Sequence, residues 1–264
     1  MIRFCSSVEG LGTVFLNGGP LQHFVEILYR ISLKKAVRVF FLNPEDMEVF
    51  TLRGLVDEES SVLLPGTGVD LMHFRTVNAQ ENQIFRFSFI GRILWDKGIA
   101  EYISAARIVR EQYKNVKFTL HGFLGVDNRS AIPKEIVAQW ESEGVVDYIG
   151  STDDIRDVIA ASDCIVLPSY REGLSRTLLE ASAMAKPIIA SDVPGCRDVV
   201  EHGVTGLLCR ARDAKDLAEK MLAMLRMEKR DRDNLGLNGR RKMEREFDEA
   251  IVLKEYRKVI DSIN

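Results

Sequence analysis

Residues 168–180 form the segment whose composition points most directly to chemistry. An apolar stretch typical of a buried strand ends at Leu167, and a helical pattern begins after Gly173. Ligands of open α/β sheets bind at this end of a strand. Gly173 allows a tight turn, so we expect free backbone N–H groups at the start of the helix to form a phosphate site. The predicted donors are the N–H groups of Leu174, Ser175 and Arg176.

Two glutamates, Glu172 and Glu180, flank this turn in an E-x7-E spacing. Glu172 precedes the predicted helix and Glu180 lies nearly two turns inside it, so the two carboxylates can hold different parts of one extended ligand. The alternative for Glu172 is a charge that only favours the helix dipole, an effect of about 0.3–1 kcal/mol. The alternative for Glu180 is an ordinary exposed helix position.

Two cations, Arg92 and Lys97, follow another predicted strand and precede Gly98. Arg92 offers a planar fork that matches phosphate oxygens, and Lys97 offers a mobile point charge, so together they can neutralise a diphosphate without a metal ion. Either residue alone would favour simple surface solvation. Two cations at the carboxyl end of a strand, facing the predicted phosphate site, favour ligand binding.

The elements that position these residues alternate between short apolar runs and helical segments from about residue 86 onward. This alternation predicts an α/β fold with a doubly wound parallel sheet, and the continuous apolar runs 164–167 and 188–190 predict strands buried on both faces. The predicted strands are Phe85–Ile90, Val116–Leu120, Val145–Ile149, Asp163–Leu167 and Pro187–Ala190. The predicted helices are Gly98–Tyr113, Pro133–Glu143, Asp153–Ala161, Ser175–Ala185, Ala214–Arg226, Arg230–Glu246 and Asp248–Ile260.

Residues 1–64 show a smaller version of the same pattern, with too few strands to close a domain. The elements predicted there are helices Leu21–Leu33 and Pro44–Leu52 and strands Val37–Leu42 and Val62–Leu64. Turn-forming residues then predict a linker over 65–84. We therefore expect a partial domain over 1–64, a complete one over 85–245, and a C-terminal helix over 246–264 that packs back toward the first.

Composition narrows the class of protein. With 46% hydrophobic and 28% charged residues the chain is typical of a soluble globular protein, and its net charge of −3 gives no general attraction to nucleic acid. The cysteines are far apart and lack metal-ligand spacing, which favours a reducing cytosol. No apolar run approaches the roughly 18–20 residues that a membrane span needs. We expect a cytoplasmic protein that binds neither metal nor nucleic acid.

The motifs together resemble those of the retaining glycosyltransferases of the GT-B fold, the large group 1 family that includes many bacterial enzymes of polysaccharide and lipopolysaccharide synthesis. The resemblance rests on Gly91-Arg92 and Lys97-Gly98, on Leu167-Pro168-Ser169 and Glu172-Gly173, and on Glu180. It extends through 181–190, 192–197 and 203–208, and residues 40–46 and 66–70 look like the inter-domain portion of such enzymes. Ser175 departs from the family pattern, where proline is common, and so does Ala185-Lys186-Pro187.

The resemblance implies a role for each candidate residue. Arg92 and Lys97 would hold the diphosphate of a nucleotide-sugar donor, preferably UDP-linked, and Glu172 would contact the donor sugar near the reacting carbon, so these three are the predicted catalytic residues. The donor is a substrate, and no cofactor or metal is implied. The further donor-binding residues would be Gly91, Gly173, Leu174, Ser175 and Glu180, with Glu180 on the ribose hydroxyls.

The resemblance also implies partners and organisation. Related enzymes build O-antigen or capsule units on glycan or lipid-linked acceptors, which leaves peripheral contact with the inner face of the cytoplasmic membrane open. Residues 85–245 would be the donor-binding domain and 1–64 the remnant of an acceptor domain. Family members usually begin with a complete acceptor domain, so we expect more than about 100 residues of it to be missing by the usual domain size.

Two other interpretations stay open at this point. One is a non-catalytic nucleotide-binding module, or a subunit that needs a separate acceptor domain. The other is a sugar-nucleotide epimerase of similar fold, which the E-x7-E spacing disfavours.

Overall fold

The computed structural model describes residues 4–11, 14–76 and 84–263, and these ranges contain two parallel β-sheets. The strand order is β1-β2-β3 in the first sheet and β6-β5-β4-β7-β8-β9 in the second. Helices connect successive strands within both sheets, except β8 and β9, which are joined by turns. The α/β fold class with a doubly wound parallel sheet is confirmed.

The first sheet consists of β1 (Phe4–Val8), β2 (Ala36–Phe41) and β3 (Ser61–Leu63), all paired in parallel. Its helices are α1 (Val14–Asn17), α2 (Pro20–Leu33) and α3 (Pro44–Leu52). The rings of Phe41 and Phe50 meet edge to face at 5.2 Å between centroids, and both are fully buried. These rings pack α3 against β2, which fixes the start of α3 near the second sheet.

The second sheet provides the larger core, and its central strands are the most deeply buried. Every residue of β7 and β8 is buried, as the continuous apolar runs predict. Its strands are β4 (Phe85–Ile90), β5 (Val116–His121), β6 (Asp147–Gly150), β7 (Cys164–Leu167), β8 (Ile188–Ser191) and β9 (Leu207–Cys209).

The strand order reverses between β4 and β7. The chain proceeds from β4 outward to β5 and β6, and then returns to place β7 on the other side of β4. Such a reversal opens a crevice at the carboxyl ends of the two strands, where ligands of open α/β sheets bind. The loops after β4 and β7 carry the predicted site residues, so the topology brings them to one crevice.

Seven helices accompany the second sheet within the described ranges. They are α4 (Ile99–Gln112), α5 (Lys134–Ser142), α6 (Arg156–Ala161), α7 (Arg176–Ala183), α8 (Ala214–Arg226), α9 (Lys229–Lys242) and α10 (Glu249–Ile263). A π-helical turn, Met243–Phe247, follows α9, so the predicted continuous helix Arg230–Glu246 is wrong at its end. Of the helices described, none is both long enough and apolar enough to cross a bilayer.

Two strands, β1 and β9, were absent from the elements predicted from the sequence. In β1 the central residues are polar and Val8 alone is buried, because the strand lies at the edge of its sheet. The three residues of β9 are too few to show a period. The middle of the predicted linker, residues 77–83, lies outside the described residues.

The C-terminal helix α10 contacts the first sheet, and the residue just before α10 contacts the segment that follows that sheet. The ring of Tyr256 meets that of Phe40 in β2 edge to face, with centroids 4.8 Å apart. The N–H of Val69 donates to the carbonyl of Phe247 over 2.9 Å just before the helix. The division into domains 1–64, 85–245 and 246–264 stays a prediction.

Candidate functional site

Lys97 and Glu172 form an ion pair across the crevice between β4 and β7. The Lys97 Nζ lies 2.6 Å from Oε1 and 2.8 Å from Oε2 of Glu172. The two side chains are only 18% and 12% exposed. Because both carboxylate oxygens accept from one ammonium, the pair fixes a cation and an anion side by side at the carboxyl edge of the sheet.

Gly98 makes this approach possible. Its φ is +72°, and an added Cβ would lie 2.0 Å from the carbonyl oxygen of Pro168. A side chain would therefore push the turn Trp95–Lys97 away from the end of β7. The glycine that follows Lys97 in the sequence is thus required by the contact that brings Lys97 to Glu172.

Arg92 lies beside this pair and lines the same cavity, which has a volume of about 410 Å³. The side chain of Arg92 is exposed, and no carboxylate oxygen of the described residues lies within 4.0 Å of it. The first sheet contributes the other wall of this cavity through residues 9–11. The structure therefore brings Arg92, Lys97 and Glu172 together, and we call this space the lysine cavity.

Gly173 also lines the lysine cavity and lies against the first sheet. An added Cβ would come within 1.6 Å of the carbonyl oxygen of Glu9, so no side chain fits there. The carbonyl of Gly173 accepts a hydrogen bond of 2.6 Å from Nδ2 of Asn43. The turn after Glu172 is therefore held by two segments of the first sheet.

The predicted phosphate site at the start of α7 needs a correction. The N–H of Ser175 is not free, because it donates to the carbonyl of Gly195 over 3.2 Å. The buried Ser175 side chain caps the helix by accepting from the N–H of Leu178. No hydrogen bond from the N–H of Leu174 or Arg176 is found within the described ranges. The available donors are therefore fewer than predicted.

Leu174 and Gly91 have packing roles in the structure. The Leu174 side chain lies against Gly66, where an added Cβ would be 2.1 Å from Cδ2 of Leu174. The N–H of Gly91 donates to the carbonyl of His121, and the Gly91 carbonyl lies where Gly122 would carry a Cβ. Neither residue lines the lysine cavity. Their predicted contact with a donor stays a prediction.

Glu180 lies in a second cavity of about 480 Å³, which we call the glutamate cavity. Burial raises the pKa of Glu180 above its ordinary value, and Arg176, 3.3 Å away, opposes the rise. Asp153 and Asp154 line the opposite side. Since the lysine and glutamate cavities have no lining residue in common, the two glutamates of the E-x7-E pattern face separate spaces.

The sequence interpretation missed the residues at the start of α3 that hold the Glu172 loop. Arg171 forms an ion pair with Asp46, which is fully buried at the start of α3. Asn43 caps α3 by accepting from the N–H of Asp46 over 2.8 Å, while its amide nitrogen reaches Gly173. The signal available in the sequence was the helix start Asn43-Pro44, an N-cap followed by proline at the first helical position.

Across the ranges that the structure describes, no three His, Cys, Asp or Glu side chains are arranged to hold a metal ion. The expectation that no metal takes part remains untested.

Comparison with known families identifies the chain. The family described as "Glycosyl transferases group 1" matches residues 73–242, which include Arg92, Lys97, Glu172 and Glu180. The chain belongs to this family. The predicted resemblance to the group 1 glycosyltransferases is confirmed, and it disfavours the epimerase interpretation; retention of the anomeric configuration stays a prediction.

Curated relatives carry names of the same kind. The chain is 29% identical over 272 residues to the N,N'-diacetylbacillosaminyl-diphospho-undecaprenol alpha-1,3-N-acetylgalactosaminyltransferase of Campylobacter jejuni. That match covers 97% of the chain and 69% of the relative. The chain is also 32% identical to the capsular polysaccharide biosynthesis glycosyltransferase CapM of Staphylococcus aureus, over 66% of the chain and 45% of CapM. The chain therefore spans about two thirds of the first relative and less than half of the second.

Solved structures share the fold. The sucrose-phosphate synthase of Thermosynechococcus elongatus superposes with a TM-score of 0.82 at 24% identity, over 98% of the chain and 68% of that protein. HepE of Anabaena, solved in complex with UDP, also reaches 0.82 at 18% identity, over 98% of the chain and 72% of HepE. At these identities the likeness establishes the GT-B type of fold.

Proposed function

We propose that the chain is the donor-binding portion of a retaining glycosyltransferase that moves a sugar from a UDP-sugar to a glycan or lipid-linked acceptor in polysaccharide synthesis. The observation that carries the proposal is the convergence of Arg92, Lys97 and Glu172 on one cavity at the carboxyl edge of the sheet. Family membership and the UDP complex of HepE support a nucleotide-sugar donor.

The donor would extend from one cavity to the other. Its nucleoside would occupy the glutamate cavity, with the ribose hydroxyls donating to Glu180. Its diphosphate would lie near Arg92 and Lys97, and its sugar near Glu172. An extended ligand suits this arrangement because the two glutamates face different spaces.

In this arrangement two anionic groups would compete for the Lys97 ammonium, the Glu172 carboxylate and the donor diphosphate. The Lys97 ammonium donates to both carboxylate oxygens of Glu172. A bound diphosphate would draw the ammonium toward its own oxygens, and Glu172 would then be released to accept hydrogen bonds from sugar hydroxyls. The contact with Glu172 holds the Lys97 ammonium at the position where it would meet the diphosphate.

The chemical step would need no protein nucleophile. The bond between the sugar C1 and the diphosphate oxygen breaks, and its electron pair stays on the diphosphate. The acceptor hydroxyl attacks C1 from the same face, and its proton passes to the departing diphosphate, so the anomeric configuration is retained. Arg92 and Lys97 would stabilise the negative charge that grows on the leaving group, the electrostatic mode of catalysis.

The acceptor and the cellular setting are further parts of the proposal. The Campylobacter relative is named for an acceptor linked to undecaprenol through a diphosphate, which supports a lipid-linked acceptor here. A cytoplasmic location with peripheral membrane contact would give access to such a lipid. The partial coverage of CapM keeps the alternative that this chain binds nucleotide and relies on a separate acceptor domain.

Turnover and binding of UDP-sugars test the function. Calorimetry should detect UDP binding, and Arg92→Ala should reduce UDP-sugar turnover about 100-fold or more, as loss of one charge-stabilising donor does elsewhere. Arg92 is exposed and unpaired within the described residues, so this variant should keep its fold. Lys117→Ala is the matched control, because Lys117 pairs with the exposed Asp147 and lines neither cavity.

The stereochemistry has its own readout. Proton NMR of the product should show the anomeric configuration of the donor. An inverted product would contradict the retaining mechanism, and normal turnover by Arg92→Ala would contradict the assignment of the diphosphate. UDP binding without hydrolysis or transfer would favour the non-catalytic module.

A further inference from the structure

A third cavity, of about 590 Å³, adjoins the lysine cavity and is assigned no part of the donor. Asp96 and Asn128 line both spaces, so the two cavities are neighbours at the same edge of the sheet. Leu21 of α2 lines its far side, which places the cavity between the two sheets. Because the donor would fill the other two cavities, this neighbouring space is available to a second substrate.

Two arginines give this space, the arginine cavity, its positive charge. Arg129 and Arg212 line it, and no carboxylate oxygen of the described residues lies within 4.0 Å of either guanidinium. The neighbouring Arg210, by contrast, pairs with Asp213 at 3.0 Å and does not line the cavity. Guanidinium groups without a protein partner suit phosphate oxygens, which they bind in a bidentate manner.

Arg212 is held in place by its surroundings. Its guanidinium carbon lies 4.5 Å above the ring centre of Tyr170, and the Tyr170 hydroxyl is fixed by both carboxylate oxygens of Glu101 at 2.9 and 3.0 Å. The backbone of Arg212 is left-handed, with φ of +61°, a conformation that is uncommon for a residue with a side chain. The cation is therefore positioned at the cavity by stacking and by the backbone together.

The loop of Arg129 is tied to the turn that precedes Lys97. The N–H of Trp95 donates to the carbonyl of Ser130 over 2.7 Å, and the N–H of Asp96 donates to the Ser130 hydroxyl over 3.1 Å. Arg129 is thus held at a fixed distance from the donor site, although its own side chain is exposed.

The remaining lining suits a sugar ring. The Trp95 ring is 37% exposed, and it rests edge to face on Trp140 with centroids 6.1 Å apart. An exposed, anchored indole offers an apolar face for the C–H side of a sugar. Next to it, Oδ1 of Asp96 is buried without a hydrogen-bond partner among the described residues, and the carboxylate can accept from a hydroxyl.

We propose that the arginine cavity is the acceptor subsite, and that the acceptor is a sugar with a phosphate or diphosphate at its reducing end. The phosphate lies at Arg129 and Arg212, the ring lies on Trp95, and the reacting hydroxyl points toward Asp96 and the lysine cavity. This orientation separates the anionic end of the acceptor from the Asp96 carboxylate. The inference rests on the proposed function, because it takes the other two cavities to be filled by the donor.

Calorimetric titration of the full chain, with UDP at saturation to fill the donor site, tests this inference. The probes are N-acetylglucosamine 1-phosphate, the same sugar joined through a diphosphate to farnesol, and the neutral methyl glycoside. We expect Arg129→Gln and Arg212→Gln each to weaken binding of the charged probes about ten- to a hundred-fold, as loss of hydrogen bonds from a charged group does. The neutral glycoside and the affinity for UDP should be unchanged.

Arg210→Gln is the matched control, because it removes the same charge from the same loop outside the cavity. All three arginines are exposed, so the folded state should survive, and circular dichroism checks this. Tighter binding of the farnesyl diphosphate than of the sugar phosphate identifies a lipid-linked acceptor where the difference persists in Arg129→Gln and Arg212→Gln, because the additional phosphate would act through those arginines; equal binding identifies a free sugar phosphate.

The proposal is overturned if charged and neutral probes bind alike, or if Arg129→Gln and Arg212→Gln match Arg210→Gln. These titrations need no turnover. A wild-type chain that binds the charged probes through both arginines but binds neither UDP nor a UDP-sugar would contradict the proposed function and leave the phosphate subsite standing.

Discussion

Removal of either partner of the Arg171–Asp46 ion pair should have unequal effects on stability. Asp46 is fully buried, whereas the Arg171 side chain is 22% exposed. Breaking a buried pair costs about 3–5 kcal/mol when a charge is left buried without its partner. Arg171→Met leaves the Asp46 carboxylate in that condition, and water can partly reach the vacated position, so we expect a loss of about 3 kcal/mol. Asp46→Asn leaves a guanidinium that water still solvates, so we expect about 1 kcal/mol.

The double variant distinguishes this account from simple loss of contact. Asp46→Asn with Arg171→Met contains no buried charge, so it should be more stable than Arg171→Met alone. Urea unfolding followed by circular dichroism gives the free energies, and the four proteins form a double-mutant cycle. The control pair is Arg107 and Glu143, which are 46% and 36% exposed and should couple by less than about 1 kcal/mol.

Equal losses in the two single variants, with the double variant at their sum, would refute the reasoning. That result would mean that Arg171 and Asp46 contribute independently and that the buried carboxylate is not the source of the cost. A second readout is UDP-sugar turnover measured where each variant is still folded. Because Arg171 adjoins Glu172, turnover should fall in Arg171→Met even after correction for the folded fraction.

Three further changes have defined outcomes. Gly173→Ala should abolish UDP-sugar turnover, because its Cβ would lie 1.6 Å from the Glu9 carbonyl. Gly144→Ala should lose some stability, because φ of Gly144 is +68°, but it should keep turnover, because its Cβ would meet no atom within 4 Å. Burial lowers the pKa of His121 to about 4, so the unfolding free energy should decrease as the pH falls from 6.5 toward 4. In His121→Gln, the unfolding free energy measured by urea titration should depend less steeply on pH over this range. Burial raises the pKa of Glu180, so Glu180→Gln should be the more stable protein at pH 7 by thermal unfolding, and this advantage should shrink as the pH falls toward 4.5.

The second sheet was predictable from the sequence because its central strands are buried on both faces. Continuous apolar runs such as Cys164–Leu167 arise from that burial and are visible without a structure. The edge strand β1 has the opposite property, since one face meets solvent and its residues are mostly polar. Both missed strands, β1 and β9, lie at sheet edges, although the edge strands β3 and β6 were predicted from their apolar residues.

The same contrast applies to the candidate site. Arg92, Lys97 and Glu172 were found because each follows a recognisable strand, and parallel strands bring such loops to one edge. Asn43 reaches Gly173 across 130 positions of sequence, and no local pattern reports such a contact. The hydrogen bond from the Ser175 N–H to the Gly195 carbonyl could not be predicted from the sequence for the same reason, because it depends on how two loops pack.

The loop that carries Arg171 and Glu172 is bound on both sides, by residues beside the first sheet and by residues beside the second. Arg171 binds Asp46 of α3 in the first sheet, while Glu172 binds Lys97 beside β4 in the second. The Gly173 carbonyl adds a further bond to the first sheet. Any rotation of one sheet relative to the other must therefore either break the Arg171 and Gly173 contacts or pull Glu172 away from Lys97. If a bound diphosphate draws Lys97 away from Glu172, as the proposed function holds, this loop would link the separation of the two sheets to occupation of the diphosphate site.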